Sequence, residues 1–188
     1  LISPRVMAVL NPVRLIIKNY PENQDEILEG EINPEKPELG KRKIPFSKEL
    51  YIEKEDFKEE ANRKFYRLSI GKEVRLKNAY IIKAETVIKK NDGTIKEIIC
   101  SYDPKSKSGS GSEESKRKVK GTIHWVTIKH SLNVDVNIYD RLFMVPSPDQ
   151  NKEIDFKKFI NPNSLKMVNG FVEPSLSIAL KGNHFQFQ

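Results

Sequence analysis

Apolar and polar positions alternate in short runs along most of the chain, and Pro, Gly and Asn break the runs before they reach helical length. Residues 5–20 hold two apolar runs parted by Asn11-Pro12. Pro12 has no backbone donor, so the pattern predicts two strands with a kink or edge position between them. Residues 21–43 are rich in Glu, Pro and Asn, which predicts a long surface loop or arm. Glu49-Leu50-Tyr51-Ile52 reads as a strand, and residues 56–62, with acids at the start, as a helix of one or two turns. Residues 74–83 and 84–90 alternate and connect to 94–102 across Asn91-Asp92-Gly93, and an Asp-Gly pair between β-branched residues specifies a hairpin. Val134, Val136 and Ile138 alternate with Asp135 and Asn137, predicting a strand with one buried face. Residues 155–160 fit a short helix closed by Asn161-Pro162, and Phe185-Gln186-Phe187-Gln188 fit a strand.

Many short strands, abundant turn signals and almost no helix point to an all-β architecture. Residues 105–117 are dominated by Ser, Gly and Lys and read as a flexible linker or hairpin tip. They divide the chain into two small β-barrels, residues 1–104 and 118–188. The Gly-Ser-Gly within them is not a phosphate loop, because no Gly-Lys-Ser/Thr follows.

Composition narrows the class. With 37% hydrophobic and 31% charged residues the chain reads as soluble and globular, and no apolar run approaches the roughly 20 residues that a membrane span needs. Its first residue is Leu1, with no leader pattern, so it reads as the interior of a longer protein. The single cysteine, Cys100, follows Ile98-Ile99 and reads as a packed thiol in a reducing compartment.

Charge is segregated. Residues 63–90 carry nine Lys/Arg against two acids, a surplus equal to the whole chain's +7, whereas residues 22–60 carry thirteen acids against seven bases. Segregation of this kind is the electrostatic footprint of a nucleic-acid binder. Arg67, Arg75 and Lys77 stand among Phe65, Tyr66 and Tyr80, the residue types that track an RNA backbone and stack on or hydrogen-bond to unpaired bases. Residues 116–132 form a second basic run leading into an aromatic strand. No catalytic set is visible: His124, His130 and His184 lack partners at metal-ligand spacings, and the acids of residues 49–60 read as a solvated face.

The sequence also resembles a known family. Pro4-Arg5-Val6-Met7-Ala8-Val9, Ile44-Pro45-Phe46-Ser47, the run from Gly71-Lys72-Glu73-Val74-Arg75 through Tyr80, Lys118-Val119-Lys120-Gly121-Thr122-Ile123-His124-Trp125 and Phe185-Gln186-Phe187 are similar, in this order, to the C-terminal anticodon-binding region of glutaminyl-tRNA synthetases. The resemblance implies two β-barrels of the ribosomal-protein type gripping the anticodon loop of tRNA(Gln). It also implies a cytoplasmic, monomeric class I synthetase that uses ATP and Mg2+, with a catalytic domain N-terminal to Leu1 that carries the HIGH and KMSKS-like signatures. By the same resemblance Arg5 and Gln186 match positions that read the middle anticodon base, Arg67 the third, and Arg75 and Lys77 the first. Those roles require the two ends of the chain to meet. Lys77 replaces a family arginine, Tyr66 a basic residue and Glu35 an asparagine. The same architecture occurs in non-bacterial-type glutamyl-tRNA synthetases, and a stand-alone RNA-binding barrel is the other alternative.

Overall fold

The computed structural model describes residues 3–188 and is built almost wholly of strands. In chain order these are β1 (Arg5–Val6), β2 (Ala8–Val9), β3 (Pro12–Ile17), β4 (Glu26–Glu31), β5 (Lys41–Phe46), β6 (Glu49–Glu53), β7 (Phe57–Lys58) and β8 (Leu68–Ser69). There follow β9 (Glu73–Leu76), β10 (Ile81–Lys89), β11 (Ile95–Tyr102), β12 (Thr122–Ile123), β13 (Val126–Thr127), β14 (Leu132–Tyr139), β15 (Leu165–Val172) and β16 (Gln186–Phe187). The all-β, barrel-like class expected from the alternation is the one observed.

Seven strands form the main sheet in the order β12-β9-β10-β11-β3-β6-β13. Its inward positions are the apolar members of each alternating run: Leu15 and Ile17, Leu50 and Ile52, Val74 and Leu76, Ile98 and Cys100 are all buried. Burial raises the Cys100 thiol far above its usual range, which keeps it neutral and unreactive. The expected hairpin is β10–β11, with Gly93 in the left-handed region (φ 80°) that only glycine adopts freely. Pro12 stands first in β3, where its missing donor matters least, and Glu53 accepts from the backbone N–H groups of Leu10 (2.6 Å) and Asn11 (2.9 Å) at the bend before it.

Three local expectations are corrected. Residues 21–43 are not one long loop: β4 and β5 pair along their whole length, because Leu28, Ile44 and Phe46 alternate onto the core and outweigh the loop-like composition. Residues 21–25 and the tip, residues 32–40, remain irregular, the tip with a 3-10 turn at Pro37–Leu39. Residues 56–62 do not form a helix, since the 3-10 turn Lys54–Asp56 runs directly into β7, where Phe57 is buried. The helix expected at 155–160 is a 3-10 turn, Phe156–Phe159, begun by the Asp155 carboxylate accepting from the Lys157 N–H.

Phe46, fully buried at the end of β5, packs edge-on against Tyr20 and Trp125 with ring centroids 5.2 and 5.1 Å away, and tilts onto Tyr80 at 5.3 Å. These rings fill the space between the β4–β5 hairpin and the main sheet. The remaining strands tie the two ends of the chain together. β14, β15 and β2 make a three-stranded sheet, and β1 runs parallel to β16 with Arg5 opposite Gln186. Phe46→Ala is expected to lower the unfolding free energy by about 3–5 kcal/mol, read as a fall in the urea midpoint at unchanged slope.

Candidate nucleic-acid interface

β9 organises the polar surface. Val74 and Leu76 point into the core, so Glu73, Arg75 and the next residue, Lys77, share the opposite face over about 13 Å. Ladder bonds hold this face against the chain around β12: Arg75 N–H donates to the Gly121 carbonyl and Lys77 N–H to that of Ile123, both at 2.9 Å. A cleft lies at each end of the row.

The first cleft, of about 540 Å3, lies between residues 61–73 and 118–120. Arg63, Arg67, Lys72, Lys118 and Lys120 line it with Tyr66, and Glu73 is the one acid in its wall. Tyr66 is 55% exposed, leaving its ring face open for stacking. The two walls approach so closely at Gly121 that a Cβ there would come within 1.9 Å of the Tyr66 carbonyl oxygen, so a side chain is excluded. Arg67 sits on this wall, with Nη1 donating to the Thr122 carbonyl at 2.9 Å and Nε 3.4 Å from Asp56 Oδ1.

The second cleft, of about 380 Å3, is lined by Lys77 and Asn78 after β9, by Ser108 and Gln188, and by the β4–β5 hairpin, whose Lys41 and Arg42 face it together with Glu29 and Glu31. Burial pulls the Lys77 ammonium below its usual pKa, and the charges of Arg42 and Arg5 add to the fall. Beside this cleft Arg5 Nε donates to Gln186 Oε1 at 3.1 Å, while its Nη2 pairs with Glu35. The meeting of the chain ends required by their shared role is thus observed, across 181 residues of sequence. Oriented by Arg5, the Gln186 carboxamide keeps its NH2 donors for a further partner.

Between the clefts, Arg75 is covered by residues 103–117. Its Nη1 donates to the Ser106 carbonyl (2.8 Å) and Ser108 Oγ (3.2 Å), and its Nη2 to the carbonyls of Ser115 (2.9 Å) and Arg117 (3.3 Å). Burial, with Arg117 nearby, lowers its pKa from the usual arginine value. The covering segment is a strap made from a 3-10 turn at Pro104–Ser106 and a helical turn at Glu113–Lys116, and Ser106 Oγ accepts the Ile81 N–H at 2.8 Å. Arg5, Gln186 and Lys77 are therefore brought together, Arg67 stands in a separate cleft, and Arg75 lies under the strap between them.

Sequence reasoning missed Arg42 and Asp56. Arg42 is buried and pairs through Nε with Glu173 Oε1 at 2.7 Å. Its signal is the alternation of Arg42, Ile44 and Phe46, hidden when residues 21–43 are read as loop. Asp56 is masked by the neighbouring exposed acids, although the buried Phe57 beside it marks where the chain turns inward. Among the described residues no group of three or more His, Cys, Asp or Glu could hold a metal ion, and no helix is long and apolar enough to cross a membrane.

A basic surface with an exposed tyrosine, carried on the segments that flank β8, β9 and β12, has the residue types of a module for unpaired nucleic acid. Comparison with known proteins makes the class specific. The family model described as "tRNA synthetases class I (E and Q), anti-codon binding domain" matches residues 3–103, and a second model of the same description matches residues 122–188. The chain belongs to this family. It is similar to the glutamine–tRNA ligases of Proteus mirabilis (strain HI4320), at 52% identity over 186 residues, and of Enterobacter sp. (strain 638), at 49% over 186 residues. That of Salmonella newport (strain SL254) is 48% identical over 186 residues. Each alignment covers 99% of this chain and 33% of the relative, so the chain spans about a third of the length of these proteins.

If Arg75 pins the strap, Arg75→Ala is expected to raise amide hydrogen exchange across residues 104–117 by about tenfold or more while β10 and β11 keep their protection. Mass spectrometry of exchanged peptides checks this.

Proposed function

We propose that this chain is the anticodon-reading part of a glutamine–tRNA ligase, which grips the anticodon loop of tRNA(Gln) in the cytoplasm so that a catalytic domain of the same protein can join glutamine to the tRNA with ATP and Mg2+. The observation that carries the reading is the junction of three residues remote in sequence: Arg5 donates to Gln186, and the charge of Arg5 acts on Lys77, which lines the second cleft beside them. The ligase names and high identity of the relatives support it. Two anticodon-binding units, residues 1–104 and 118–188 joined by 105–117, fit the two matched segments. Strands pass between these units, since β12 and β13 belong to the main sheet while β1 and β2 pair with β16 and β15.

Arg5 and Gln186 are assigned to the middle base. A carboxamide that can both donate and accept suits a uracil edge, and Arg5 fixes its orientation. Arg67 is assigned to the third base, with Arg63, Lys72, Lys118 and Lys120 around it for phosphates. Lys77 and Arg75 are assigned to the first base, Lys77 as a point charge where an arginine would offer a fork. Arg75 reaches RNA only by exchanging strap carbonyls for it, so its contact forms with a rearrangement of residues 103–117. The acceptors now holding Arg75 are neutral, and a phosphate competes well with them because its hydrogen bonds are charge-assisted.

Titration of a labelled glutamine-tRNA anticodon stem-loop tests the reading. The chain is expected to prefer the CUG loop over unrelated loops, and Arg67→Ala to reduce discrimination at the third base by about 1–3 kcal/mol. Lys120→Ala should weaken all loops alike and lower the slope of log K against log salt by about 0.7. Equal affinity for CUG and unrelated loops would overturn base reading.

A further inference from the structure

Arg67 is held on two sides. Nη1 donates to the Thr122 carbonyl at 2.9 Å, and Nε faces Asp56 Oδ1 at 3.4 Å. Among the described residues this leaves Nη2 as its nitrogen without a protein partner, on a side chain that lines the first cleft and is 49% exposed. Asp56 is in the opposite situation. Its side chain is 11% exposed, and Oδ2 is buried with no hydrogen-bond partner among the described residues, 3.9 Å from His124 Nδ1. On its other side His124 places Nε2 3.8 Å from Glu53 Oε1, the carboxylate that also accepts the Leu10 and Asn11 N–H groups. A buried carboxylate with an unfilled oxygen is costly unless a charge is held against it. Arg67 supplies that charge at the point where the cleft begins.

We propose that Asp56 is a positioning residue for RNA recognition: with the Thr122 carbonyl it clamps the Arg67 guanidinium so that its Nη2 side is presented to the base in the first cleft. The inference rests on Arg67 contacting RNA, as proposed above. An unclamped arginine on a flexible stem would reach phosphates as readily as a base, whereas a fork fixed at Nε and Nη1 approaches from one direction only. Asp56 thereby contributes to discrimination without touching the ligand. Every charged group facing it bears on this hold. Burial raises the Asp56 carboxyl above its ordinary range, Glu53 and Glu55 push the same way, and Arg67 and His124 oppose them. As pH falls into the carboxylate range, Asp56 takes up a proton before an ordinary aspartate would, and the clamp is released.

A double-mutant cycle with the anticodon stem-loop and a variant altered at the third base tests the clamp. In the unaltered chain, Asp56→Asn is expected to reduce third-base discrimination by about tenfold. In an Arg67→Ala background the same change should have no further effect, an outcome that a general loss of structure would not give. Equal losses in both backgrounds, or none in the unaltered chain, overturn the clamp alone. If Arg67→Ala binds and discriminates as the unaltered chain does, the clamp and the assignment of Arg67 to RNA fall together. A second measurement leaves Asp56 in place and so stands even if Asp56→Asn does not fold. The discrimination ratio of the unaltered chain to Arg67→Ala should shrink as pH is lowered from neutral into the carboxylate range, and a flat ratio overturns the clamp.

Discussion

The placement of the recognition surface depends on one buried ion pair. Arg42, on β5, and Glu173, directly after β15, meet at 2.7 Å with side chains 8% and 2% exposed. The pair is imperfectly satisfied: among the described residues Arg42 Nη2 and Glu173 Oε2 are both buried without hydrogen-bond partners, and burial raises the Glu173 carboxyl even against the arginine beside it. Desolvating two charges this way gives little net stability, because replacing such a pair by apolar residues is often neutral or favourable. What the pair supplies is position. Either charge alone would be stranded in the interior, so the β4–β5 hairpin and the strand sheet of β2, β14 and β15 can settle in only one relation. Glu173 N–H also donates to the Met7 carbonyl at 3.2 Å, which ties the start of the chain to the same junction.

That junction sets the electrostatics of the second cleft. Arg42 and Arg5 lie close enough to Lys77 to depress its pKa, and Glu173 only partly compensates. Glu35 pairs with Arg5 and Glu173 with Arg42, so among the described residues Lys77 is the cation of this junction without an ion-pair partner, in a partly desolvated position that an anionic ligand relieves. The first cleft is larger, and its cations come from lysines and arginines on two segments. The basic stretch of residues 63–83 is thus not one uniform clamp. Arg67 and Lys72 line the first cleft, Arg75 is turned into the strap, Lys77 lines the second cleft, and Lys83 stays exposed on β10.

The sequence made some of this legible and concealed the rest for physical reasons. Strands with a period of two and the Asp92-Gly93 turn were readable because each rule is local. The meeting of Arg5 with Gln186 followed from family resemblance, since no local pattern connects residues so far apart. The β4–β5 hairpin was concealed because Glu29, Glu31, Lys41 and Lys43 alternate outward and dominate the composition, while Leu28, Ile44 and Phe46 carry the energy. Asp56 was concealed because burial of one acid among several exposed ones depends on tertiary packing. The strap's hold on Arg75 is made mostly to backbone carbonyls, which every residue possesses and no sequence distinguishes.

The parallel pairing of β1 with β16 also has a temporal meaning. Arg5 leaves the ribosome well before Gln186, and at roughly 5–20 residues per second the interval is on the order of ten seconds or more. Closing so long a loop is entropically expensive until the intervening sheets have shortened it. The Arg5–Gln186 contact is therefore among the last features to form, after the main sheet and the β14–β15 pair have ordered. A nascent or partly unfolded chain has its basic stretch but lacks the paired Arg5 and Gln186. On the proposed reading, selectivity is therefore a property of the finished fold, and base discrimination a more sensitive report of native structure than affinity.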